Sequence, residues 1–283
     1  MKTNQRKKRK VIDGVLYGLM IFASTAVAAA LIGIIVYIII QSAGMLTPSV
    51  IFGAVNNSLL PMIVSTAWTV LVSLVLALPV GIMTAIYLQE YPLGLGIRRI
   101  LGLAIDTLSG IPSIIYGLFG LLIFCRYLKL GQSIIAGGLT LSIMILPVII
   151  RTTEEALKTV PVSFREGSLS LGATKLQTIL HVVLPPALPG ILTAAILAAG
   201  RVVGESAPVL FTVGTAINLP KTIFETGRTL TIHLFYLTKE AIKPDDFAHA
   251  FTAAAVLIIV VLILNTVVKI IGGRFGTTGE NID

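Results

Sequence analysis

The sequence predicts an all-α integral membrane protein with six transmembrane helices. Mean hydropathy is +0.97, with 55% of the 283 residues hydrophobic and only 12% charged, far from the composition of a water-soluble domain. From Gly14 to Gln89 no Asp, Glu, Lys or Arg occurs, and no soluble fold leaves so long a run without a charged surface.

Six apolar stretches, at 14–41, 62–89, 100–125, 132–151, 188–214 and 249–271, each approach or exceed the ~20 residues that cross a hydrocarbon core about 30 Å thick. The basic segment Lys2–Lys10 precedes an apolar stretch about twice the length of a signal-peptide core, with no clear small-residue cleavage site. It is read as a retained anchor and first span. Two polar stretches, Arg151 to His181 and Asn218 to Phe247, form the large loops. With the N-terminus inside, 14 Lys and Arg fall on inner segments and six on outer ones, leaving Arg201 within a span. Because inner loops keep the basic excess, both termini and the 151–187 loop are predicted to be cytoplasmic.

The resulting division is a basic tail at 1–13, one membrane domain at 14–272 with its polar loop at about 152–187, and a tail at 273–283. No repeat with a period of 20–50 residues and no low-complexity linker divides it. The net charge of +8 reflects topology rather than a nucleic-acid surface, since the basic residues sit at the edges of apolar stretches. Cys125 is the only cysteine, which excludes an intrachain disulfide and a thiolate metal cluster, and His181, His233 and His249 are too far apart for a local metal motif. Small residues at Ala28 to Ala30, Gly117, Gly120, Ala194, Ala195, Ala198 and Ala199 are candidates for close helix packing in lipid. Pro112 and Pro208 are expected to interrupt their spans.

The polar stretch 151–190 is the most informative. Pro161 opens it in extended form, residues 164–171 suit a short amphipathic helix, and Gly172 stands where a helix stop is favoured. A second helical stretch over 173–183 is expected to end before Pro185-Pro186. Two short helices joined at a glycine make a knob that seats in a partner's groove. The alternative is an amphipathic hairpin lying on lipid. Elsewhere, no Gly-x4-Gly-Lys-Ser/Thr run occurs, so no phosphate-cradling loop for ATP is expected in this chain.

Within that stretch Glu166, Gly167, Ser168, then three residues, Gly172, nine residues, Val182, one residue and Leu184-Pro185 are spaced as in the loop signature of binding-protein-dependent ABC importer permeases. Gly167, Ser168 and Val182 depart from the family's two alanines and isoleucine. Residues 56–92, 111–120 (IPSIIYGLFG) and 200–212 (GRVVGESAPVLFT) resemble phosphate importer permeases, and the run after Gly204-Glu205 is more similar to the A-type (PstA) than to the C-type subunit. Asn56-Asn57-Ser58 departs from an expected Gly-Gly pair.

The resemblance implies a type I ABC importer permease fold whose coupling helix docks on an ATPase through Phe164, Arg165, Glu166, Gly167, Ser168, Gly172, Leu184 and Pro185. It implies a homologous PstC-type permease, a PstB-type ATPase dimer that binds ATP and Mg, and an extracytoplasmic PstS-type phosphate-binding protein. No cofactor is expected in the subunit itself, and the substrate expected is phosphate, with another oxyanion such as sulfate or molybdate, or another small solute, as the alternative. A charge at the bilayer centre costs about 2.5–3.5 kcal/mol on insertion scales, so such residues face a cavity or a partner. Arg201 and Glu205, four residues apart, either line the path, with the guanidinium fork suited to an oxyanion, or form a structural pair. Arg151 and Glu154 are further path candidates, against a reading of Arg151 as an interfacial side chain reaching for water. Asp106 is ambiguous. A membrane-embedded enzyme would need a nucleophile–base or metal constellation, which the sequence does not offer. A channel would need no docking loop.

Overall fold

A computed structural model describes residues 2–53, 58–92, 94–241 and 244–276. Asn56, Asn57, Lys243 and the last part of the C-terminal tail lie outside the described residues. Among the described residues all regular structure is helical. Five helices are long and apolar enough to span a membrane, and a sixth span is a helix pair bent by 96°.

The centre of the bundle is formed by α3 (Leu60–Glu90), α6 (Ile134–Lys158) and α9 (Leu184–Gly204). An α2 turn, Pro48–Phe52, precedes α3. Lipid supplies no hydrophobic force between helices, so close approach depends on small residues. Gly81 of α3 lies against Ile149 of α6, Gly138 of α6 against Val72 of α3, and Gly190 of α9 against Ala156 of α6, with no room for a Cβ at any of the three. Ala194, Ala195, Ala198 and Ala199 are buried as expected. Ala28 to Ala30 are not: they lie on α1 (Lys2–Ser42), whose described side chains are exposed along most of its length. That helix meets the bundle chiefly through α12 (Pro244–Gly276), where the Tyr37 and Phe251 rings meet edge to face at 5.5 Å.

The expected third span is broken. Helix α4 (Leu95–Gly110) stops at Ile111, which is extended at φ −71° and ψ 129°, and α5 (Ser113–Gly120) starts after Pro112 and runs on into a π-helical segment, Leu121–Tyr127. Pro112 has no N–H to give and disfavours helical backbone before it. The Tyr116 hydroxyl donates to the carbonyl of Leu108 at 2.7 Å, replacing part of what the break removes.

The fifth span also departs from a single helix over 188–214. It starts earlier, as a continuous helical stretch from Lys175 to Gly204, and it ends inside the expected span. The stretch over 173–183 therefore does not stop before the prolines: Pro185 and Pro186 follow directly on the π-helical turn Ile179–Val183, and the helix runs through them although neither has an N–H to give. Past Gly204 the chain is extended at Glu205 and resumes as α10 (Ala207–Thr212) with Pro208 in its first turn. The freed Val203 carbonyl accepts the Thr231 hydroxyl of α11 (Leu230–Glu240) at 2.6 Å.

The two interrupted spans meet. A Cβ on Gly117 of α5 would come within 2.9 Å of the Pro208 Cα and 2.8 Å of the Phe211 ring. Gly117→Val should separate α5 from α10, at an overpacking cost of about 1–3 kcal/mol. Thermal unfolding in detergent should show a lowered midpoint, whereas Gly167→Ala, with nothing within 4 Å, should leave it unchanged.

Candidate functional site

The ion pairs among the described residues fall into three constellations. The first lies at the break between α9 and α10. Arg201 Nε stands 3.8 Å from Glu205 Oε1, a Coulombic contact too long for a hydrogen bond. The guanidinium has no hydrogen-bond partner among the described residues, and its side chain is 33% exposed. Tyr116 of α5 lies within electrostatic reach. The arrangement leaves a planar fork of donors without hydrogen-bond partners among the described residues, beside two broken helices.

The second constellation differs in that its arginine is fully engaged. Arg151 of α6 donates through Nε and Nη2 to Asp106 of α4 at 3.2 and 2.6 Å, through Nη1 to Glu154 at 2.8 Å, and through Nη2 to the Gly102 carbonyl at 3.2 Å. Asp106, ambiguous in the sequence, is thus the partner that ties α4 to α6. Arg151 and Glu154 do not join Arg201 and Glu205. Arg151 is two turns from the C-terminal end of α6, whereas Arg201 stands about 25 Å along α9 from Leu184, at 1.5 Å rise per residue.

The third is the hairpin between α6 and α9. Helix α7 runs from Val162 to Ser170, starting two positions before and ending one before the expected 164–171, and Gly172 turns the chain at φ +87°, a conformation that favours glycine. Helix α8 (Lys175–Thr178) opens with a capping box in which Thr174 and Gln177 exchange bonds, and a π-helical segment, Ile179–Val183, leads into α9. The Ser168 and Thr178 hydroxyls bond at 2.9 Å and join the two arms. Glu166, Gly167 and Pro185 are exposed, as are Phe164 at 56% and the tip residue Leu171 at 91%, while Arg165 and Leu184 turn inward.

What Arg165 turns toward is Glu90, the last residue of α3, which sequence reading overlooked. Arg165 donates to the Glu90 carboxylate through Nη2 at 2.7 Å and Nε at 3.0 Å, and Lys175 adds a third contact at 3.1 Å. Arg165 also holds the Leu157 and Val160 carbonyls at the end of α6. The Glu90 side chain is only 2% exposed. A signal was present: Glu90 is the first charge after the uncharged run, and α7 and α8 bring Arg165 and Lys175 to face it.

Other groups do not supply such a site. Among the described residues no three His, Cys, Asp or Glu side chains converge on a common metal position. His233 of α11, outside the spans, is held down to about 4 by burial and by the nearby Arg228 and His249, so it is neutral at neutral pH and offers an anion no charge.

Helical spans, two of them interrupted, with a polar hairpin at one end define a multi-pass helical membrane protein whose centre is built from broken helices. The chain belongs to the family described as "Binding-protein-dependent transport system inner membrane component", whose model matches residues 77–277. It is 32% identical over 282 residues to the probable ABC transporter permease protein YqgI of Bacillus subtilis, covering 93% of this chain and 96% of that one. It is 40% identical over 209 residues to the phosphate transport system permease protein PstA 1 of Mycobacterium tuberculosis (strain CDC 1551 / Oshkosh), covering 73% of this chain and 67% of the relative. Among solved structures, an inward-facing MetNI methionine ABC transporter matches with a TM-score of 0.56 and 22% identity over 77% of this chain and 92% of that one. A bacterial ABC transporter that imports the acidic polysaccharide alginate matches at 0.53 and 16%, over 88% and 95%. These likenesses show the fold, that of a type I ABC importer permease.

The burial of the ion pairs sets their worth. Glu90→Ala leaves Arg165 buried without its partner and should cost about 3–5 kcal/mol. Asp106→Asn breaks a pair whose side chains are 40% and 64% exposed and should cost no more than about 1 kcal/mol. Comparing thermal midpoints of the two purified variants checks the ranking.

Proposed function

We propose that the chain translocates inorganic phosphate, as one of two permease subunits of an ATP-driven importer working by alternating access. The observation that carries this reading is the unengaged Arg201 fork at the break between α9 and α10. Guanidinium matches an oxyanion with two parallel N–H bonds, and broken helices at the middle of a membrane domain mark substrate sites in transporters. Glu205 keeps Arg201 in place when no anion is bound. The names of relatives at 34–40% identity, which call them phosphate transport system permeases, favour phosphate over sulfate or molybdate.

In this reading the chain has no ATPase site. ATP and Mg are bound by a PstB-type dimer that grips the exposed face of α7, with Phe164, Glu166 and Leu171 as contacts. A PstC-type permease completes the path, and a PstS-type protein delivers phosphate on the opposite side. Both termini and the α7–α8 hairpin face the cytoplasm, in keeping with the distribution of Lys and Arg. Arg151, with Asp106 and Glu154, braces α4 rather than meeting substrate.

Reconstituted in liposomes with its partners, the complex should hydrolyse ATP faster with phosphate-loaded than with sulfate-exposed binding protein. Arg201→Gln should abolish phosphate uptake while the complex still assembles. Equal uptake by variant and parent refutes the path role, and equal stimulation by the sulfate arm refutes phosphate.

A further inference from the structure

The hairpin is bonded covalently to α6 and α9, yet its ion pairs are made to neither. Both its short helices are fastened to the last residue of α3: α7 through Arg165 and α8 through Lys175. The carboxylate that receives them is buried, and Arg165 spans from it to the carbonyls that end α6. Within the hairpin, the Ser168–Thr178 bond and the Thr174 capping box remove the remaining freedom between the arms.

We propose that Glu90 is a positioning residue for energy coupling: its carboxylate makes α7, α8, the end of α6 and the end of α3 one rigid body. A stroke applied to the exposed face of α7 then moves α3 directly, and does not reach it only by packing. This rests on the reading of the hairpin as the ATPase contact, and it adds a transmission path that the chain connectivity does not provide. Charge-assisted bonds from two helices onto one desolvated carboxylate hold direction as well as distance, which loose apolar packing does not. The hairpin keeps surface available: Phe164 and Leu171 take no part in the clamp's ion pairs and are exposed.

The test uses the full reconstituted complex and reads phosphate moved per ATP hydrolysed. Glu90→Gln keeps the shape and one acceptor but not the charge. It should bind the ATPase in parental amount and retain ATP hydrolysis, while phosphate per ATP falls at least tenfold. Glu90→Asp should recover much of the ratio, because it restores the charge. Lys175→Gln, at a side chain 37% exposed and therefore tolerant of substitution, should lower the ratio without moving the thermal midpoint. It decides the matter if Glu90→Gln does not assemble. A parental ratio in Glu90→Gln, or in Lys175→Gln when only that variant assembles, overturns the clamp. The parent complex separates the two claims. If it moves phosphate without an ATPase bound, the functional reading fails; if it couples normally and Glu90→Gln couples equally, only the inference about Glu90 fails.

Discussion

A carboxylate removed from water at the end of a long apolar helix must be matched by positive charge or be lost as a charge altogether. Glu90 is matched twice, and the rest of the loop end follows from that. Arg165 is oriented by it and in turn donates to the Leu157 carbonyl in the last turn of α6, one of those a helix C-terminus leaves, and to the Val160 carbonyl just beyond that helix. With Lys175 on the same carboxylate, the turn at Gly172 is fixed at both ends. Removing the carboxylate therefore unties α3, α7 and α8 together, leaving the apolar contacts of Val160 and Val183 to hold the loop end.

Away from the loop end the bundle is held differently. Where α3 crosses α6, glycines at 81 and 138 let the Ile149 and Val72 side chains seat where a Cβ would stand. Around Ile111 and Glu205 the helices are open, and single hydroxyls from Tyr116 and Thr231 replace the lost backbone bonds. Each of these bonds breaks and reforms at little cost compared with a helix turn, which suits a region that changes shape around a permeating ion. A rigid loop end driving a looser middle is the mechanical content of the proposed transport cycle. In that proposal Arg201, in the looser part, is left for an anion, whereas Arg165, in the rigid part, is engaged by Glu90.

Much of this was legible in the sequence, because bilayer thickness translates directly into the length of an apolar run and because the spacing from Glu166 to Pro185 is specific. The breaks were only half legible. Hydropathy averages over the bend at Pro112 and over the extended Glu205, since both are flanked by apolar residues, and whether a proline breaks a helix depends on what satisfies the freed groups. Pro79, Pro147 and Pro189 all lie inside unbroken helices. Pro185 and Pro186 looked like a stop, yet the helix runs through them from Lys175 to Gly204. Glu90 escaped because its partners are 75 and 85 residues away, a pairing that no local pattern encodes. Ala28 to Ala30 misled for a related reason: small residues report capacity for close packing, and within this chain α1 has nothing on that face to pack against.

The central claim is that the hairpin tip and the end of α3 move together. Spin labels at Leu171→Cys and Tyr87→Cys, both exposed in the chain, measure it by pulsed dipolar spectroscopy in the reconstituted complex. The account predicts one unchanged distance distribution between nucleotide-free and ATP-trapped states, while a Leu171–Ile115 pair, reaching across the break to α5, shifts. A Leu171–Tyr87 distance that changes between the two states, with the complex intact and transporting, contradicts it.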